Sequence, residues 1–184
     1  MSRHAVGTEG ADNGQPWNLG QLMAERGRVS HARARFTEER HSSMLKAPLI
    51  LSGTLRYDAP SRVEKHTQSP FEERYVVDED TLLIERHKKR PRRVSLRNHP
   101  ALWAFVESFR ATLSGDVETL QRFYDARLQG NRTHWRLVLV PLHEEMSKIV
   151  ESIQIDGAQT QITHIEIREV GGDSSRMSIH PDRS

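Results

Sequence analysis

A mainly β protein, an antiparallel meander partly covered by helices, is the fold class this sequence predicts. Three observations lead to it. Between Asp58 and Pro91, turn signals recur at the roughly 8–12-residue spacing of a sandwich or barrel. Between the turns, apolar and polar residues alternate with the period of half-buried strands. Helical periodicity is confined to three short windows. A strand total of about 10–11 exceeds what a flat sheet carries without curling, so the sheet is expected to be strongly curved.

The elements follow in order. Residues 1–16 contain Gly7, Gly10 and Gly14 and almost no apolar side chains, and are expected to form a flexible lead-in. Trp17–Arg26 reads as a short helix opened by Pro16 and stopped by Gly27. Arg33, Arg35 and Thr37 alternate with Ala32, Ala34 and Phe36 in a first strand, and 49–57 repeats the pattern with a bend or bulge at Gly53. Asp58-Ala59-Pro60, Ser69-Pro70, Asp78-Glu79-Asp80 and Arg90-Pro91 then separate strands near 61–68, 71–77, 81–87 and 92–97.

Pro100 opens a second helix near 100–114, whose apolar stripe Leu102, Phe105, Val106, Phe109 and Leu113 is widened by Trp103 and closed by Gly115. Asp116 caps a third helix, 117–123. Strand periodicity resumes over 133–140, 148–155, 160–169 and 176–180, with Asp156-Gly157 expected as a hairpin turn. Residues 17–180 are expected to form one domain, followed by a tail at 181–184.

Composition narrows the function classes. The chain has 184 residues, and that length fits one domain. It lacks cysteine, which excludes disulfides, thiolate-bound zinc, thiol catalysis and a lipidated cysteine. The longest apolar run, 137–142, is six residues, far short of a membrane-spanning helix. Residues 1–16 have no apolar core of the kind a signal peptide needs. A net charge of +2 gives no support to general nucleic-acid binding.

Catalytic patterns fail on inspection. His143-Glu144-Glu145-Met146-Ser147 begins like a zinc-protease helix, but Ser147 stands where a second histidine is required. No nucleophile elbow and no phosphate-binding glycine loop is present. Adjacent glutamates on strands point to opposite faces and read as solvated charge. The expectation is a non-enzyme without a cofactor.

Two features remain for function. The run Arg86-His87-Lys88-Lys89-Arg90-Pro91-Arg92-Arg93 suits an anionic lipid or protein partner. A solvated hairpin tip whose charges discourage edge pairing is the more ordinary reading of such a run. Without interleaved aromatics it is no platform for single-stranded nucleic acid. The helical stripes, with Trp17 and Leu22 in one and Trp103, Phe105 and Phe109 in the other, bracket the meander and are expected to cover its concave face. A sheet lidded in this way can enclose an acyl-chain site.

The chain resembles the LolA-like family, the periplasmic outer-membrane lipoprotein carriers, from about Trp17 to Ile179. The matching stretches are 34–38 (Ala-Arg-Phe-Thr-Glu), 52–60, 67–70, 76–82, 135–141 and 153–157. The resemblance implies an unclosed, strongly curved antiparallel β-barrel with a helical lid. It implies a periplasmic location after removal of a signal peptide, and a cavity that takes acyl chains of lipoproteins from an inner-membrane transporter to an outer-membrane receptor. Two positions depart from the family pattern: Ala59 stands where family carriers often have a lid-tying arginine, and Glu79 where a later turn has glycine.

The expected acyl-facing residues are Leu49, Leu51, Leu55, Tyr57, Leu82, Ile84, Trp103, Phe105, Phe109, Trp135, Leu137 and Leu139. The expected partner-binding cations are Arg86, Lys88, Lys89, Arg90, Arg92 and Arg93. A lipid or lipoprotein carrier, active as a monomer, is the leading reading. The alternative is a non-catalytic envelope module that presents its basic hairpin to an anionic partner and has a filled interior.

Overall fold

Eleven strands hydrogen-bond into one antiparallel sheet in the computed structural model, which describes residues 17–181. The expected lead-in at 1–16 and the residues after Pro181 lie outside the described residues. In chain order the elements are α1 (Leu19–Arg26), β1 (His31–His41), β2 (Leu49–Asp58), β3 (Arg62–Ser69), β4 (Glu73–Asp78), β5 (Thr81–Arg86) and β6 (Arg92–Ser95). A short 3₁₀ turn, Leu96–Asn98, leads into α2 (Pro100–Ser114) and α3 (Val117–Phe123). The remainder is β7 (Tyr124–Asn131), β8 (His134–Pro141), α4 (Glu144–Ser147), β9 (Val150–Ala158), β10 (Gln161–Glu169) and β11 (Ser174–Pro181).

The strand order is β6-β5-β4-β3-β2-β1-β11-β10-β9-β8-β7. Two runs of simple hairpins are joined where β1 pairs with β11, in the register Ala34 opposite Pro181 and His41 opposite Ser174. The edges β6 and β7 do not pair, so the barrel is unclosed. Curvature follows from contacts. In a flat sheet β5 and β8 would stand about 38 Å apart, eight strand spacings. Yet one helix, only ~10–12 Å across, packs on both: Val106 of α2 joins Leu82 of β5, and Ala104 and Ala111 join Leu137 of β8. The sheet must wrap around α2.

Register assigns the faces. Phe36 lies opposite Gly53 and Ile179, and Glu38 opposite Leu51 and Met177, so these six share the concave side. Leu49, Leu55 and Tyr57 alternate onto the same side of β2, together with Lys65, Tyr75 and Ile84 on the next three strands. Gly53 is required there. The ladder shifts register between Ser52 and Gly53, and a Cβ would run into the His66 carbonyl.

Several sequence expectations change. The 133–140 strand is preceded by an unforeseen edge strand, β7, which follows Phe123 with no turn between. The hairpin expected at Asp156-Gly157 turns instead at Gln159-Thr160, where Gln159 adopts a φ of 52°. Gly157 serves a different purpose: it faces Trp135, and a Cβ would enter the indole. The first helix begins at Leu19, because the Asn18 side chain caps it by accepting from the Gln21 N–H at 3.0 Å.

Candidate functional site

The element that organises the concave side is α2. Pro100 starts it, where a missing N–H removes no intrahelical bond, and Gly115 ends it in the left-handed conformation with φ 74°. Its most deeply buried residues are small: Ala104, Ser108, Ala111 and Thr112, together with Val106. Small side chains let the helix axis approach its neighbours closely. The large members of the stripe, Trp103, Phe105 and Phe109, are only half-buried. The Phe105 and Phe109 rings pack on each other with centroids 5.0 Å apart.

Around α2 the apolar side chains form two clusters. One contains Leu22 and Met23 of α1, Leu120, Tyr124, Met146, and the β8 and β9 residues Trp135, Leu137, Leu139, Ile153 and Ile155. Phe105 and Phe109 pack against it. The other contains Val77, Leu82, Leu96 and Val106, with Tyr75, Ile84, Val94, Leu102 and Trp103 against it. The predicted acyl-facing residues are therefore divided. Leu82, Ile84 and Trp103 meet on one wing, while Phe105, Phe109, Trp135, Leu137 and Leu139 meet on the other. Leu49, Leu51, Leu55 and Tyr57 lie on β2 between the wings.

Half-buried apolar residues continue along that central floor: Leu55, Ile165, Ile167, Met177 and Ile179. Toward the end of β1 the floor becomes polar. Glu38 is 1% exposed and accepts hydrogen bonds from Lys65, from Arg40 at 3.0 Å and from Ser175 at 2.6 Å. Burial raises its pKa, but Lys65, Ser175 and Arg40 outweigh burial and hold the carboxyl below the usual range. The Lys65 ammonium also lies 5.1 Å from the centre of the Phe36 ring.

Three side chains fasten the helices to the sheet. Arg26, the last residue of α1 and 4% exposed, donates to the Thr160 carbonyl in the β9–β10 turn and to Leu113 O at the end of α2. Burial pulls its pKa below the arginine range, opposed by nearby Tyr57. Arg110 on α2 donates to the Glu79 carbonyl in the β4–β5 turn at 2.9 Å and to Glu107 at 2.7 Å. Ser108 donates to the Tyr124 hydroxyl at 3.2 Å, which donates to Met146 Sδ at 2.8 Å. Burial pushes the Tyr124 phenol up to about 12. The buried Arg26 Nε, Arg110 Nε and Tyr57 hydroxyl have no hydrogen-bond partner among the described residues.

Sequence reading missed both arginines. Neither sits in a motif, and their acceptors lie 134 and 31 residues away. They tie the helices to opposite wings without a residue at Ala59.

Two depressions, of about 520 and 350 Å³, open on the outer face. Glu64, His66, Arg74 and Glu85 line the larger, and Glu39, His41, Glu166 and Arg176 the smaller. Neither lies beneath α2. Among the described residues, no group of three His, Asp or Glu side chains could hold a metal ion, and no helix is long and apolar enough to cross a membrane.

The basic run occupies the end of β5, the turn and β6. Arg86 pairs with Glu73 and donates to the Tyr75 hydroxyl at 3.1 Å. Lys88, Lys89, Arg90, Arg92 and Arg93 are exposed.

Several solved structures are similar to this chain at low identity. A LolA superfamily protein from Nitrosomonas europaea is 8% identical, with a TM-score of 0.48 over 90% of this chain and 94% of that one. An outer membrane lipoprotein-sorting protein domain from Vibrio parahaemolyticus is 9% identical, with a TM-score of 0.45 and 88% of each chain covered. The Pseudomonas aeruginosa MucA/MucB complex matches at 15% identity and a TM-score of 0.45 over 88% of this chain, which spans 54% of the chain it matches there. At this distance none of them carries a statement about ligand or partner. No curated protein matches the chain. The family match is of another order: residues 11–180 match the outer membrane lipoprotein carrier protein LolA-like family, and the chain belongs to that family.

Proposed function

We propose that this protein is a non-enzymatic envelope carrier that takes an acyl chain of a lipoprotein, or of a related lipid, between α2 and the concave face of its sheet. The observation that carries the reading is the position of α2 as a wedge between two apolar clusters, with Trp103, Phe105 and Phe109 half-buried along it. In this closed state the wings pack on the helix itself, so an acyl chain enters by displacing α2. The contacts that α2 loses are replaced by contacts to the ligand. A chain of ~16 carbons gains on the order of 12 kcal/mol on leaving water at ~0.8 kcal/mol per methylene. Displacement of the helix and lost mobility offset part of that gain, which leaves the cargo releasable.

The acyl-facing set then comprises Trp103, Phe105 and Phe109 on the helix, with Leu55, Ile84 and the other predicted sheet residues as the opposing floor. Transfer between an inner-membrane donor and an outer-membrane acceptor, in the periplasm and as a monomer, is the cycle we assign by family membership.

The test is uptake of a fluorescent fatty-acyl probe together with native mass spectrometry of the gently purified chain. Phe109→Ala should weaken probe binding at least tenfold per folded molecule. An apo mass with no probe uptake, or probe binding that scales only with the folded fraction in Phe109→Ala, would overturn the reading.

A further inference from the structure

We propose that one rim of the sheet is a docking surface for an anionic lipid bilayer. Antiparallel register places five connections at the same end of the sheet: 42–48, 70–72, 87–91, 142–149 and 170–173. Those connections hold Met44 and Leu45, Phe71, Leu142 and Ile149, and Val170, all large, apolar and exposed. The two other exposed large apolar residues, Ile50 and Val140, are next to the last positions of their strands at that same end. The opposite rim, with turns at 59–61, 79–80, 132–133 and 159–160, holds none of this set among the described residues. Scattered apolar side chains on a surface need no explanation, but segregation to one end of an elongated sheet does.

Charge identifies the occupant. The connection at 87–91 belongs to the same rim and, with β6, presents Lys88, Lys89, Arg90, Arg92 and Arg93, none of which pairs with an acidic side chain among the described residues. Several of the rim's acidic residues are engaged, while Glu72, Glu151 and Glu169 are exposed without a Lys or Arg partner among the described residues. Glu144 and Glu145 pair with Lys148 at 3.0 and 3.1 Å, Glu73 pairs with Arg86, and Asp173 accepts from Ser42 Oγ at 2.6 Å and the Ser43 N–H at 2.9 Å. Apolar tips spread over several loops, beside a surplus of unpaired cations, suit a surface that is apolar at depth and anionic on top. A folded acidic protein or a nucleic acid would use the cations and leave the tips in water.

Docking does not depend on what binds between α2 and the sheet, so it can fail or succeed independently of the carrier reading. Co-sedimentation of the full chain with phosphatidylcholine vesicles, with and without phosphatidylglycerol, tests it. The protein should bind the anionic vesicles and release them in high salt. Lys88→Ser/Lys89→Ser/Arg90→Ser should lower partitioning on the order of 100-fold, at roughly fivefold per cation. Met44→Ser/Phe71→Ser should lower it at least tenfold. Arg33→Ser, at the opposite end of β1, should leave it unchanged. All these side chains are exposed, so each variant should keep the parent thermal midpoint. No vesicle binding, retention on heparin without vesicle binding, or an Met44→Ser/Phe71→Ser variant that binds like the parent overturns the proposal.

Discussion

Glu38 is a buried carboxylate at the polar end of a largely apolar concave face, and its surroundings determine what it contributes. Its folded pKa is depressed, so it stabilises the fold above the unfolded-state value near ~4.3, and that contribution disappears as pH falls through the folded value. Glu38→Gln should cost ~1–3 kcal/mol at neutral pH, because Lys65 and Ser175 lose a charged acceptor. Urea denaturation of both proteins at pH 7 and near pH 3 checks this, and the gap between the two should narrow at the lower pH. Gly157 makes the opposite kind of contribution, by being absent at its side chain. Gly157→Ala should cost ~1–3 kcal/mol through overpacking against Trp135, read as a lower thermal midpoint. At this scale the sequence was informative where a residue acts on its own strand. Gly53 reads as a bulge from local pattern alone. Gly157 beside Asp156 has the form of a turn, and only the position of Trp135, 22 residues away and on the neighbouring strand, gives it another role.

At the scale of elements, α2 was visible from its stripe and its termini, Pro100 and Gly115, but its buried face was not. Periodicity marks large apolar residues, whereas the closest packing is made by Ala104, Ser108 and Ala111, which carry little hydrophobic signal. β7 was hidden because its inward residues beyond Tyr124 are only Ala126 and Leu128, and because it follows α3 with neither Gly nor Pro between. The two arginine fastenings, Arg110 and Arg26, give a prediction. Arg110→Ala removes the bond to Glu79 O, and amides of α2 should then exchange faster while those of β8 and β9 stay protected, as hydrogen–deuterium exchange can show. Arg26→Met should behave differently. It removes a buried charge with no acidic partner near it among the described residues, so global stability should fall by less than ~1.5 kcal/mol, while the link to the β9–β10 turn is lost.

Across the whole molecule, the joint at the middle of the sheet is made by its first and last strands. Every other strand pairs with its sequence neighbour, so each half can zip from local hairpins. The β1–β11 seam must close a loop of about 140 residues, and such non-local pairing is slow to form. Removal of residues 174–184 should therefore leave two half-sheets that unfold separately, seen as two transitions where the full chain shows one. The seam also sets an order of events as the chain folds. Until β11 has emerged into the compartment where the chain folds, β1 is an unguarded edge that carries Phe36. The folding chain is thus most open to misassociation at the strand that becomes the middle of its sheet.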